Sequence, residues 1–318
     1  MRRSWITVAL AATLLAGASP VLADTRVERE LALGSGGRFI LDSDTGSVEV
    51  AGRSASGVRV VITSSRDDFE SRFDLSFDER PGEAEVKVER KDRGIGGWFR
   101  SDGDVRFTIE VPADAEVEID TAGGAIEARD IGAAARLDTS GGSISAVRIR
   151  GTLEADTSGG SITIEEVDHD VSADTSGGSI RIASVRGAVH ADTSGGGITI
   201  HGATGDVVAD TSGGSIEVEE AGGQVRADSS GGPIRVSFAP GNARGGSIST
   251  SGGGITVEID PGIGLEIDAA SSGGTVDFDM PLLVQGRVGR ESVRGTLGSG
   301  GEALRLRTSG GGIRILSR

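Results

Sequence analysis

The sequence predicts an all-β protein, a parallel β-solenoid built from 18-residue coils, and three observations carry that prediction. Variants of Asp-Thr-Ser-Gly-Gly-Ser-Ile begin at Asp120, Asp138, Asp156, Asp174, Asp192, Asp210 and Asp228, at a constant interval of 18 residues. A fixed period of that length means one supersecondary unit stacked on copies of itself. Written as columns with the Asp first, the unit keeps its apolar residues at fixed positions. Column seven is always Ile, from Ile126 to Ile234, and column nine is Ala, Ile or Val, from Ala128 to Val236. Aromatic residues make up only 3% of the chain, as expected of a narrow core filled by Ile, Val and Ala.

Residues 1–23 read as a signal peptide. Met1-Arg2-Arg3 is followed by the apolar run Trp5 to Ala16 and by Val21-Leu22-Ala23, with cleavage expected after Ala23. No Cys follows that run to carry a lipid, and no later apolar stretch has the length of about 18 residues that a membrane span needs. Residues 24–119 form an N-terminal β-rich part. A shortened copy of the repeat stands at Asp44-Thr45-Gly46-Ser47-Val48-Glu49-Val50 as the first coil. Alternating strands follow, among them Val58 to Ile62, Phe73 to Phe77, Ala84 to Val88 and Val105 to Val111. Most of the Phe residues lie in this part, which suits hairpins that cover an open solenoid end and its unpaired strand edges.

Residues 120–245 are the regular array. Columns seven and nine share a parity, and so do sixteen, eighteen and column two of the next unit, so each coil supplies two short strands with one buried face. Columns twelve (Ile131 to Ala239) and sixteen (Ala135 to Ala243) are apolar too. One turn falls at Ser-Gly-Gly and the other near columns thirteen to fifteen, where Gly151, Gly187, Gly205 and Gly223 stand. Glycine in these turns is expected to supply positive φ. No six-residue apolar repeat runs inside the unit, which disfavours a left-handed hexapeptide helix, and the preference of parallel crossovers makes the expected coil right-handed. Residues 246–318 continue as irregular coils and a C-terminal cap, with copies of the turn beginning at Thr250, Ser271 and Thr308 at intervals of 21, 21 and 37 residues.

Three stretches together resemble the bacterial DUF4097 family, which carries an adhesin label: Gly46-Ser47-Val48-Glu49-Val50, Phe107-Thr108-Ile109-Glu110-Val111-Pro112, and the recurrent Ser-Gly-Gly-x-Ile turns closed by Leu304 to Ile315. The resemblance covers essentially the whole chain after the signal peptide. It implies a β-helical, envelope-associated or secreted protein without known catalytic residues.

Composition narrows the function further. The chain has no Cys, so disulfides, thiol catalysis and Cys-based metal sites are excluded. Cleavage after Ala23 leaves 30 basic and 48 acidic residues, a net charge of −18, which argues against nucleic acid and anionic lipid as partners. The Asp column reads as a turn-former that accepts backbone N–H groups two or three residues on. A row of weak Ca²⁺ sites is the sharper alternative, although the Gly-Gly-x-Gly-x-Asp nonapeptide of calcium-loaded rolls is missing. The column-two Thr residues have inward parity and predict a hydroxyl ladder. His169, His190 and His201 fall in three different columns, which disfavours a triad. A polysaccharide lyase is the rival class, with outward Arg181 and Arg235 as its basic residues.

Candidate contacts are sought where the repeat fails. Trp98, Phe99 and Arg100 lie in an Arg- and Gly-rich segment and suit a binding hot spot or a cap. Arg287, Arg290 and Arg294 belong to a C-terminal stretch, Pro281 to Arg318, with seven Arg against two Glu. The reading is an exported, non-catalytic, adhesin-like module without a cofactor, placed in the periplasm, on the outer surface or outside the cell. Its partner is a cell-surface glycan, an envelope protein or a second copy of itself.

Overall fold

The computed structural model describes residues 25–91, 104–280, 283–284 and 289–318. They form the expected β-solenoid. Two sheets, of 14 and 15 strands, face each other across one hydrophobic core, and the helix described beside them is the single turn Phe69–Arg72. In the array, columns seven to twelve supply the first sheet (Ile126–Ile131, Ile144–Ile149 and their successors) and columns sixteen to two supply the second (Ala135–Thr139, Leu153–Thr157 and their successors). Neighbouring coils pair in parallel, like residue upon like: Ile144 between Ile126 and Ile162, Asp138 between Asp120 and Asp156. Period-two alternation therefore buries columns seven, nine, sixteen, eighteen and two and turns columns one, eight and seventeen outward. Each buried Ile, Val or Leu contributes roughly 1.5–3 kcal/mol.

Column twelve breaks that alternation, since it is buried although its parity is outward. The backbone explains it. Asp130, Arg148, Glu166, Ser184 and Glu220, all in column eleven, have φ between 55° and 60°, and Gly202 in the same column has φ of 72°. One left-handed residue per coil rotates the chain so that Ile131, Ile149, Val167, Val185, Ala203 and Ala221 point inward. The last regular coil lacks the extra residue. Phe238 pairs with Ala221 and is buried there in place of Ala239, the residue that the 18-column alignment puts in column twelve. Four residues added after Phe238, a net gain of three, then move column sixteen from Ala243 to Gly246, which pairs with Val225. The buried Asn242 fills the corner, its amide nitrogen donating to the carbonyls of Ala221 and Gly223 at 2.6 and 2.9 Å.

Both ends of the stack depart from chain order. The copy of the repeat near the N-terminus is complete and begins at Asp42 rather than Asp44, because Asp42 pairs with Asp120 and Ser43 with Thr121. Its strands Arg38–Ser43 and Ser47–Arg53 lie between the coil at 116–131 and the coil formed by Glu83–Arg90 and Val105–Pro112. Antiparallel strands Val58–Ser64 and Thr25–Leu31 extend the first sheet beyond it, and Phe73–Arg80 extends the second. Phe69 and Phe73 are buried there with ring centroids 5.0 Å apart. At the other end Ala303–Thr308 and Ile313–Ser317 lie between Gly246–Thr250 with Ile255–Ile259 and Leu265–Ser271 with Val276–Phe278. The first and last coils are thus threaded between neighbours.

Candidate functional site

The turn that carries the repeated motif is organised by Thr and Gly, not by Asp. Thr139, Thr157, Thr175, Thr193 and Thr211 each donate their hydroxyl to the carbonyl of the column-five Gly in the preceding coil at 2.8–2.9 Å, and Ser229 does the same at 3.0 Å. Each hydroxyl also accepts the N–H of the column-five Gly of its own turn, at 2.9–3.3 Å. These hydroxyls are buried and satisfied, as the inward parity predicts. Positive φ is not what the turn glycines supply: Gly124, Gly142, Gly160, Gly178, Gly196, Gly214 and Gly232 lie outside the left-handed region. A Cβ at any of them would collide with the backbone of the column-five position one coil back, so glycine is needed for close approach.

The aspartates, relieved of the turn, form a row on the outer side of the second sheet. Asp42, Asp120, Asp138, Asp156, Asp174, Asp192, Asp210 and Asp228 follow one another in register, with Lys87 beside Asp42 at one end and Ser249, then Arg307, beyond Asp228 at the other. At a spacing of about 4.8 Å, neighbouring charges repel by roughly 0.9 kcal/mol even in water. The carboxyl of Asp156 is pushed up to about 6 by burial and by Asp174, Glu154 and Asp138, against the pull of Arg136. Asp120 and Asp210 are raised for the same reasons, burial first and the neighbouring aspartates next. Two shallow hollows of ≈ 320 and ≈ 290 Å³ follow the row, walled by aspartates and the column-three serines. Among the described residues, no group of three or more His, Cys, Asp or Glu side chains is placed to hold a metal ion.

Beside the row, nearer the second corner, the same sheet carries a groove of ≈ 580 Å³ that crosses several coils. It is lined by Ala134, Thr152, Asp170, Ala188 and Asp206 of column fifteen and by Arg136, Glu154, Ser172 and His190 of column seventeen, with Arg38 and Glu116 at one end. Arg136 is ion-paired with Glu154, and Arg38 with Glu118. Columns fifteen and seventeen supply these groups. Their variability gives no sequence signal.

Arg181 and Arg235 stand on the first sheet, on the face opposite the aspartate row. Arg235 lies between Glu217 and Glu258, at 3.8 and 3.6 Å. His201 Nδ1 is 3.0 Å from Glu219 Oε2 one coil on, and among the described residues none of the three histidines is hydrogen-bonded to a hydroxyl. Trp98, Phe99, Arg100 and Arg287 lie outside the described residues. The strands that flank the first three, Glu83–Arg90 and Val105–Pro112, form the outer N-terminal coil. At the C-terminal end, Arg290 is exposed, while Arg294 and Arg307 converge on Asp268 at 3.0 and 2.7 Å and hold its carboxyl below the usual range although burial raises it. Arg318 reaches Glu220 at 2.8 Å. Three arginines of the C-terminal stretch, Arg294, Arg307 and Arg318, are thus paired with carboxylates elsewhere in the chain.

The sequence profile described as Toastrack DUF4097 matches residues 38–316. The chain belongs to this family. Among curated proteins no match is found. Solved structures to which the chain is similar include a candidate cell adhesion protein from Clostridium sporogenes, at 11% identity and a TM-score of 0.28, covering 92% of this chain and 99% of that one. A candidate adhesin from Bacteroides fragilis is 11% identical, with a TM-score of 0.34 and coverage of 92% and 97%. A candidate lipid-binding protein from Parabacteroides distasonis is 12% identical, with a TM-score of 0.35 and coverage of 92% and 96%. Among the described residues of the Toastrack chain, no helix is long and apolar enough to cross a membrane.

Proposed function

We propose that this Toastrack protein is an exported, non-catalytic binding module of the bacterial cell envelope, and that its ligand lies along the groove of the second sheet. The groove carries the reading. It crosses coils stacked at a constant step of about 4.8 Å, so an extended polymer such as an envelope glycan can lie along it and meet a different polar side chain at each coil. Its lining of Arg136, Glu154, Ser172, His190 and Asp206 mixes donors and acceptors, as a polyhydroxylated chain requires. The net charge of −16 disfavours nucleic acid. The separation of the aspartate row from Arg181 and Arg235, on opposite faces, speaks against a lyase site, and the reading of residues 1–23 as a signal peptide is what supports export.

Binding to an array of bacterial envelope glycans tests the reading, with the Ala188→Trp variant as comparison. Ala188 lines the groove and is half-buried, outside the core, so the indole is expected to fill the groove without entering the core. The expected result is at least a tenfold loss of glycan binding at an unchanged melting temperature. Equal binding by the variant removes the groove from the account, and turnover of any glycan removes the non-catalytic reading.

A further inference from the structure

The aspartate row carries an inference that does not depend on the glycan reading. In it, some carboxylates have donors and some have none. Asp174 accepts from the Ser172 hydroxyl at 3.2 Å, and Asp228 accepts from the Ser249 hydroxyl and from Arg226 Nε at 3.2 Å. Asp156 and Asp210, one coil away from each, accept no hydrogen bond from a donor among the described residues, and each has a carboxylate directly above and below it. Two carboxylates that close, with no cation between them, are most stable when they share a proton.

We propose that the row binds protons in mildly acidic medium as acid–carboxylate pairs along the stack, so that the solenoid is more stable near pH 5 than at neutral pH. The proton comes from solvent. On Asp156 it is donated as O–H toward Asp174 or Asp138, and on Asp210 toward Asp228 or Asp192. The charged groups that face the row are few. Glu118, Arg136, Glu154, His190 and Arg226 stand two residues before it on the same strands, serines follow on the other side, and Lys87 and Arg307 lie beyond its ends. Glu118 and Glu154 favour proton uptake, while Arg136 and Arg226 oppose it.

The sign follows from linkage. A carboxyl raised in the folded state contributes stability that is full below its unfolded value, 3.8, and is lost as pH rises through its folded value, about 6 for Asp156. The gain therefore appears between about pH 7 and pH 4 on acidification. Glu28, Asp68, Asp114, Asp130 and Asp268, held below the usual range, act in the opposite sense, chiefly below about pH 5.

The test is the melting temperature of the protein at pH 7.5, 6 and 5, beside a variant carrying Asp156→Asn and Asp210→Asn. Asparagine has the shape of the protonated acid and no charge. The wild type is expected to melt several degrees higher at pH 5 than at pH 7.5, and the variant to be already raised at pH 7.5 with most of the pH dependence gone. The remainder belongs to Asp120, raised by burial and by its neighbours Asp138 and Asp42. A wild-type melting temperature that is flat or falls over this range, or a variant with the wild-type slope, overturns the proposal. Should the variant not fold, ¹³C spectra of the wild-type aspartate carboxyls decide: titration near pH 6 supports shared protons, and full ionisation of every aspartate down to about pH 4.5 overturns them.

Discussion

Gly141 and Gly142 stand side by side in one turn and have opposite tolerances. Neither needs positive φ. A Cβ at Gly142 would collide with the Gly124 carbonyl of the coil before, whereas at Gly141 the nearest heavy atom is the Gly123 Cα at 3.9 Å. Gly142→Ala is therefore expected to destabilise by about 1–3 kcal/mol through backbone displacement. Gly141→Ala is expected to stabilise by about 0.4–1 kcal/mol, because it restricts only the unfolded chain. Denaturant unfolding of the two variants measures both effects, and equal losses contradict the assigned roles. In the sequence the two glycines look alike. Only the stacking of coils shows that one of them faces a carbonyl. The same stacking moves the turn-forming role from the aspartates to Thr139 and its successors, whose hydroxyls bridge two coils.

Within each coil, the strand of the first sheet spends one left-handed residue to bring column twelve into the core. Such a residue costs roughly 1–2 kcal/mol when it is not glycine. Ser184, at φ 59°, is expected to accept glycine with a gain of up to about 1 kcal/mol, and Gly202, at φ 72°, to lose more than about 1 kcal/mol on replacement by Val. Thermal unfolding checks both, and the reverse order contradicts the left-handed assignment. This feature explains which parts of the strands were legible. Strict alternation gives columns seven, nine, sixteen, eighteen and two correctly from side-chain type alone. Column twelve is visibly apolar in sequence, but Arg148, Glu166, Ser184 and Glu220 carry no mark of left-handed backbone, being neither Gly, Asn nor Asp. The loss of that residue before Phe238 is hidden for the same reason, and the alignment that holds the period at 18 places Ala239 where Phe238 packs.

For the whole molecule, the repeat reveals the stack but not its order. Coils 38–53 and 303–317 are each covered on both sides by other segments. Hydroxyl bonds agree with that order, since Thr308 donates to the Gly253 carbonyl and Ser271 to that of Gly311, both at 2.7 Å. Irregular intervals in the sequence read as longer loops because nothing in them encodes which coil lies beside which. The groove was illegible too, since it belongs to variable columns and to a surface that exists only once the coils are stacked. Groove, aspartate row and covered ends all depend on this register. Because the chain has no native Cys, paired cysteines test it directly. Thr256 pairs with Arg314, and Arg314 in turn with Asp277, which puts Thr256 and Asp277 two coils apart. In oxidised protein, Thr256→Cys with Arg314→Cys is expected to form a disulfide, neighbouring strands lying about 4.8 Å apart, while Thr256→Cys with Asp277→Cys is not, at about 9.6 Å. Cross-linking of the second pair and not the first contradicts the threaded stack.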